Sequence, residues 1–327
     1  MKVLVIGAAG MVGRKLVAAL LAAGQVGGQS ITSLALADVV APEVPSTTIP
    51  VTAAAVDLSA PDVSVRLVAD RPDLIFHLAA IVSGEAEADF EKGYRINLDG
   101  TRYLLEAIRL AGQAARYRPR LVFTSSIAVF GEPLPEVIGD THEHTPLTSY
   151  GTQKAIGELL LADYSRRGFV DGVGIRLPTI VVRPGKPNKA ASGFFSGIIR
   201  EPLAGQEAVL PVAETVRHWF ASPRAAVGFL LHAAAMDTAA LGNQRNLTMP
   251  GLAATVGEQI AALERVAGPA ATALIRRQPD ETIARIVAGW PKAFDATRAR
   301  SLGFVGETSF DEIIRIHVED ELGGVVP

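Results

Sequence analysis

The apolar positions of this chain fall into short blocks that alternate between two patterns. Continuous runs rich in Val and Ile read as strands buried on both faces; between them, apolar residues three and four apart read as helices. Lys2 to Ile6 is the first strand, and Arg14 to Ala23 the first helix, with Leu16, Ala19, Leu20 and Ala23 on one face. Further strands are predicted at Ile31 to Ala37, Ile49 to Val56, Leu74 to Leu78, Arg120 to Thr124 and Gly172 to Leu177. One helix opens at Pro61, a residue suited to the first helical position, and ends near Pro72. Ala86 to Ala114 reads as one long helical stretch and Ser149 to Arg166 as another. Strands and helices alternating at this spacing predict an α/β fold with a doubly wound parallel sheet.

Beyond Val182 the rhythm changes. Arg183-Pro-Gly-Lys-Pro-Asn-Lys189 is basic and turn-rich, and shorter elements with scattered prolines follow. The pattern predicts one domain over residues 1–180 and a smaller C-terminal α/β lobe over 181–327. Pro223 to Met236 reads as a helix, and 223–245 is expected to pack on the first domain, so the boundary is interleaved.

Between the first strand and helix lie three glycines, Gly7, Gly10 and Gly13. Strand, glycine turn and helix form a cradle for a dinucleotide pyrophosphate. Bare backbone at Gly7 and Gly10 admits the phosphates, the helix N-terminus presents unpaired N–H groups, and Gly13 lets helix and strand pack closely. This is the signature of a Rossmann-type sheet. The second strand ends in Asp38, placed to accept from adenosine ribose hydroxyls and to repel a 2′-phosphate. No Lys or Arg occurs between Lys15 and Arg66, so NAD is expected over NADP. Small residues at Ala79 and Ala80 leave room for a cofactor across the sheet edge. His77, inside an apolar strand, reads as a core residue.

Composition narrows the picture. Hydrophobic residues make up 49% and charged residues 20%, with a net charge of −3 and no long basic run, so no nucleic-acid partner is expected. The absence of cysteine excludes disulfides, thiolate nucleophiles and Cys-based metal sites, and no metal is expected. No apolar run reaches the roughly 18–20 residues of a membrane span. With a strand starting at the second residue there is no room for a signal peptide, and a cytoplasmic location is expected.

The chemistry centres on Tyr150-Gly-Thr-Gln-Lys154. Residues four apart share a helix face, so the phenol and the ammonium are neighbours. A phenol with an ordinary pKa of about 10 is a poor base at neutral pH; a nearby cation favours its phenolate and makes it a usable one.

The glycine turn, Asp38, Asp57-Leu58, His77-Leu-Ala-Ala80, Asn97, Ser125-Ser126 and the Tyr150/Lys154 pair together resemble the extended short-chain dehydrogenase/reductase family. These are NAD-dependent epimerases and dehydratases, and the resemblance covers nearly the whole chain. It implies a catalytic set of Ser126, Tyr150 and Lys154, with Ser126 taken as the residue five before Gly131. It implies NAD contacts at Gly7, Gly10, Met11, Val12, Gly13, Asp38, Asp57, Leu58, Leu78, Ala79, Ala80, Asn97, Ser125, Tyr150, Lys154, Pro178 and Thr179. Sugar-nucleotide members usually follow the sixth strand with an Asn-x-Tyr-Gly-Pro type segment, which this chain lacks. Its stretch from Leu177 to Leu203, with Arg217-His-Trp219, instead resembles the branch that oxidises a small four-carbon sugar acid. That implies oxidation of a 2-hydroxy acid to the 2-oxo acid; the alternatives are a nucleotide-sugar epimerase or dehydratase that recycles its NAD, and a non-catalytic NAD-binding regulator. Substrate contacts are expected at Ser83, Ser126, Tyr150, Arg183, Arg217 and His218, with Lys186 and Lys189 as further cations for a carboxylate. Family members pair their long helices into a four-helix bundle. Leu104, Leu105 and Ile108 on one such helix and Leu159, Leu160 and Leu161 on the other exceed what one sheet face covers, so a homodimer is expected.

Overall fold

The computed structural model describes residues 1–185 and 191–326; Lys186 and Lys189 lie outside the described residues. The chain divides into two compact units. One comprises Met1–Val129, Thr148–Arg176 and Val227–Leu247, the other Phe130–Leu147, Leu177–Ala226 and Thr248–Pro327.

The first unit is built on a seven-stranded sheet. Its strands are β1 (Lys2–Ile6), β2 (Ser33–Asp38), β3 (Val51–Ala55), β4 (Leu74–His77), β5 (Arg120–Ser126), β6 (Asp171–Leu177) and β7 (Asn246–Thr248). Across the sheet they run β7-β6-β5-β4-β1-β2-β3. The β1–β2, β1–β4, β2–β3 and β4–β5 pairs are parallel. Ile6 stands opposite both Ala37 and His77. The chain leaves β1 on one side and returns to β4 on the other, which opens a crevice at the C-terminal ends of these strands.

Four helices matter to the site: α1 (Met11–Ala23), α2 (Pro61–Val68), α3 (Gly100–Ala114) and α4 (Ser149–Arg166). Leu4, Ile6, Ile75, Leu121 and Phe123 of the sheet join Val63, Leu104, Leu105, Ile108 and Leu161 of the helices in one buried core. Leu104, Leu105, Ile108 and Leu161 are therefore covered within the unit, which removes them from the argument for a second copy. Leu160 packs partly against the same core, and Leu159 alone of the six is exposed, at 64%.

Three sequence expectations need correction. The strand expected from Ile31 starts at Ser33, behind a small hairpin pairing Gln25–Val26 with Gln29–Ser30. The strand expected over 49–56 is shorter, and its outer position leaves most of its residues exposed. The stretch from 86 to 114 is not one helix. Short helices at Ser83–Ala88 and Phe90–Gly93 and a π-helical segment at Tyr94–Asp99 precede α3. The break falls at Asp89, whose backbone leaves the helical region and whose carboxylate accepts the Lys92 N–H at 3.0 Å. An Asp that caps a new helix this way competes with continuing the old one.

The second unit has its own core. A three-stranded sheet places Arg217–Ala221 between Thr179–Ile180 and Leu252–Thr255, and Ala208–Leu210 pairs in parallel with Ile275–Arg277. Phe195, Ile198 and Ile199 of the helix Gly193–Leu203 meet Ile260 and Leu263 of Val256–Ala267 and Ile313 and Ile314 of Phe310–Glu321. No described helix is long and apolar enough to cross a membrane.

Candidate active site

The glycine turn sits at the crevice between β1 and β4. Gly7 has φ 94°, and a Cβ there would stand 2.6 Å from the Ala79 nitrogen just beyond β4. Only glycine fits both the conformation and the approach. A Cβ on Gly13 would stand 2.1 Å from the Gly7 carbonyl oxygen, so α1 lies directly on the turn. Gly10 is the N-cap of α1; no side chain caps this end, and its first turn carries no acidic residue. The N–H groups of Met11, Val12 and Gly13 have no intrahelical acceptor and lie at the positive end of the helix dipole, a ready site for an anion.

Asp38 ties this turn to β2. One carboxylate oxygen accepts the Ala9 N–H at 2.9 Å and the other the Val39 N–H at 2.7 Å. Each oxygen keeps a further lone pair, so the same carboxylate has capacity for a ribose diol. A glycine cradle against β4, an uncapped helix end and an acid at the tip of β2 fit a dinucleotide. Asp57 opens a turn by accepting the Ser59 N–H at 2.9 Å, and the Ser59 bonds hold its carboxyl below the usual range. Leu58 is buried where a Gly100 Cβ would meet its side chain at 3.2 Å. The Leu78 and Ala79 N–H groups both donate to the Ile6 carbonyl. Ser83 is the first residue of its short helix, half-buried beside the Ala79–Ile81 loop in sequence.

Asn97 lies in the π-helical segment, buried. Its amide donates to the Ile81 carbonyl at 3.2 Å and to the Gln153 side-chain oxygen at 2.7 Å, and its oxygen accepts the Ile81 N–H at 2.9 Å. Asn97 thus fastens the loop after β4 to α4, one residue before Lys154. His77 is a core residue, as its strand position predicts. Its Nε2 donates to the Thr101 hydroxyl at 2.9 Å, and burial pushes its pKa down to about 3, so the ring is neutral.

The catalytic candidates meet where β5 ends against α4. The Thr148 hydroxyl caps α4 by accepting the Gly151 N–H at 3.1 Å, which sets the helix start at Ser149, one residue before Tyr150. Tyr150 is half-buried, and the Lys154 ammonium stands 5.7 Å from its ring centre. Lys154 is 2% exposed; its Nζ donates to the Thr124 carbonyl at 2.8 Å and lies 5.0 Å over the Phe123 ring. Burial lowers its pKa to about 8, and the Glu158 carboxylate opposes that fall. The Ser126 hydroxyl accepts the Ala128 N–H at 3.1 Å and remains half-buried. Ser125, expected along the cofactor, turns inward: its hydroxyl donates to Glu158 at 2.5 Å. Glu158, Arg176 and Gln153 were not singled out from the sequence. The one available signal was Glu158's position four residues after Lys154, on the same helix face.

The remaining candidates lie in the second unit, and their polar groups are already engaged there. The Thr179 hydroxyl meets His218 Nε2 at 2.7 Å, and His218 Nδ1 donates to the Pro291 carbonyl at 2.8 Å. Burial pushes His218 down to about 4, and Phe195 stacks on its ring at 5.5 Å. Both ring nitrogens of His218 therefore have partners within the second unit. Arg183 donates to the Ile180 carbonyl and the Ser192 hydroxyl at 2.9 and 3.1 Å. Arg217 is exposed and faces Glu258 at 3.6 Å. Pro178 directly precedes the short strand Thr179–Ile180.

Comparison with known proteins agrees with this geometry. A family model described as the NAD dependent epimerase/dehydratase family matches residues 3–245. The chain is 49% identical over 325 residues to D-erythronate dehydrogenase of Cupriavidus necator, covering 98% of each chain. It is 43% identical over 322 residues to D-erythronate dehydrogenase of Haemophilus influenzae, covering 98% of this chain and 100% of that one. The crystal structure of a nucleoside-diphosphate-sugar epimerase from Agrobacterium tumefaciens matches with a TM-score of 0.98 and 65% identity, over 100% of this chain and 96% of that one. The matched span holds the glycine cradle, Asp38 and the Ser126/Tyr150/Lys154 set, and the chain belongs to the NAD dependent epimerase/dehydratase family.

Proposed function

We propose that this protein is an NAD-dependent dehydrogenase that oxidises the 2-hydroxyl of a small sugar acid of the D-erythronate type to the 2-oxo acid. The observation that carries this reading is the 49% identity, end to end, with a D-erythronate dehydrogenase. Bound NAD would supply the hydride acceptor for this oxidation. The residues of this chain do the rest. The α1 N-terminus and the glycine turn would receive the cofactor's pyrophosphate, and Asp38 its adenosine ribose. Lys154, held by the Thr124 carbonyl, stabilises the phenolate of Tyr150 one turn away. Tyr150 then takes the hydroxyl proton, and Ser126 steadies the same oxygen. One hydride and one proton leave the substrate, which balances a two-electron oxidation of an alcohol to a ketone.

The 65% identity to a nucleoside-diphosphate-sugar epimerase supports a second reading, in which the cofactor is reoxidised within each turnover. The two differ in one measurement. Screening four- to six-carbon aldonic acids for NADH absorbance is expected to give net NADH with one of them. No NADH with any acid, together with interconversion of a sugar nucleotide, refutes the dehydrogenase. We also propose a homodimer, on the family likeness and the exposed Leu159 of α4. Light scattering at micromolar concentration tests it, and a monomeric mass refutes it.

A further inference from the structure

We propose that Glu158 is the positioning residue of the Tyr150/Lys154 pair: its buried carboxylate holds Lys154 as an ammonium and pins the strand end that carries Ser126. This rests on the reading above in one respect, that Tyr150 works as a base. Glu158 is fully buried, one helical turn beyond Lys154 and on the same face of α4. The Ser125 hydroxyl donates to it at 2.5 Å. Arg176 on β6, itself buried, donates to both of its oxygens at 2.8–3.1 Å. Two strands are thus fastened to the catalytic helix through one carboxylate, and Ser125 precedes Ser126 directly. The helix is brought close enough by Gly157, where a Cβ would stand 2.8 Å from the Phe123 ring.

A buried ion pair adds little stability over a packed apolar pair, so its presence beside this lysine calls for another role. The groups facing Lys154 account for one. From β4 comes His77, neutral; from β5 come the Thr124 carbonyl and the Phe123 ring; from its own helix come Tyr150 and Glu158. Glu158 is the anion among them. Without it, an ammonium in this dry site would lose its proton more readily, and a neutral amine gives no support to a phenolate.

The test reads Tyr150 directly, apart from turnover. Phenolate absorbance of the NAD-bound protein is titrated in each variant and in the same variant carrying Tyr150→Phe, whose difference isolates this one tyrosine. Glu158→Gln keeps shape and removes charge, and the Tyr150 titration is expected to move up by about one pH unit. Arg176→Gln leaves the carboxylate unbalanced, and the titration is expected to move down. Glu158→Asp keeps the charge, and the titration should stay in place although thermal stability falls. Opposite directions for Glu158→Gln and Arg176→Gln cannot come from simple loosening of the site. An unmoved titration in Glu158→Gln, or shifts of the same sign in both, overturns the proposal. Should Glu158→Gln not fold, Arg176→Gln decides: a downward move supports the proposal, and no move or an upward one refutes it. A wild-type protein that makes no NADH from any sugar acid refutes the oxidation reading separately, because the Tyr150 titration is measured without substrate.

Discussion

Lys154→Met offers a test in which activity and stability should move in opposite directions. The folded protein holds this lysine buried, with a pKa lowered from 10.5 to about 8 by desolvation. The sign follows from proton binding. Between about pH 8 and 10.5 the unfolded chain binds more protons than the folded one, so stability rises with pH across that window. Below it, the folded state carries the full penalty of a buried ammonium, about 3 kcal/mol at roughly 1.4 kcal/mol per pH unit. Methionine fills a similar volume without charge, but leaves the Thr124 carbonyl without its Lys154 donor, a loss of about 1–2 kcal/mol. The net gain is about 1–2 kcal/mol near neutral pH, or a melting temperature roughly 2–6 °C higher. The gap between variant and wild type should close and then reverse as pH rises from 8 towards 10.5, because the penalty of the wild-type ammonium is relieved while the variant still lacks the bond to Thr124. Turnover should meanwhile fall by roughly two to four decades, the scale for disabling a general base. The measurement is a thermal melt of nucleotide-free protein at several pH values beside a steady-state NADH assay. A variant less stable than wild type at pH 6, or a gap that does not change with pH, would refute the account of Lys154.

Other perturbations separate the remaining roles. Tyr150→Phe keeps the ring and deletes the hydroxyl, so NAD affinity by calorimetry should survive while turnover drops by roughly two to four decades; near-normal turnover would remove Tyr150 as the base. Asp38→Ser should narrow the preference for NAD over NADP, which like-charge repulsion and desolvation set at roughly a hundredfold, and comparable kcat/KM for both cofactors in the wild type would refute it. Arg217→Ala removes an exposed side chain with a weak ion pair and should mainly raise KM for the acid if it anchors the carboxylate, whereas Arg183→Ala breaks two internal hydrogen bonds and should also lower the melting temperature.

The cofactor half of the site was legible because its constraints are local. Gly7 must adopt a positive φ under the Ala79 peptide, and Gly13 must admit the Gly7 carbonyl, so the glycine spacing records backbone contacts directly. The pairing of Tyr150 with Lys154 was legible for the same reason, since four residues on a helix fix one face. The long helix expected over 86–114 failed on a local competition that periodicity does not weigh: Asp89 caps a new helix instead of continuing the old one. The surroundings of the expected substrate residues were hidden for a different reason. Arg183, Arg217 and His218 stand where a binding role was expected, yet what their polar atoms touch depends on Ile180, Ser192, Glu258 and Pro291, up to 73 residues away.

Burial of charge is the feature that sequence pattern conceals most completely, and this site turns on it. Lys154, Glu158 and Arg176 all lie at positions that a helical or strand pattern assigns to the core, yet all three are ionisable. Two opposite charges, Glu158 and Arg176, would satisfy one another and leave the core neutral. The third, Lys154, is the cation nearest a phenol that has to become negative. A positive site buried against β5 cannot be relaxed by water, so its field acts on Tyr150 with less screening than an exposed ammonium would exert. The stability lost by burying Lys154 and the lowered resistance of Tyr150 to deprotonation are therefore two readings of the same arrangement. A substitution that relieves the first should abolish the second, and this coupling distinguishes a built base from an accidental Tyr and Lys one turn apart.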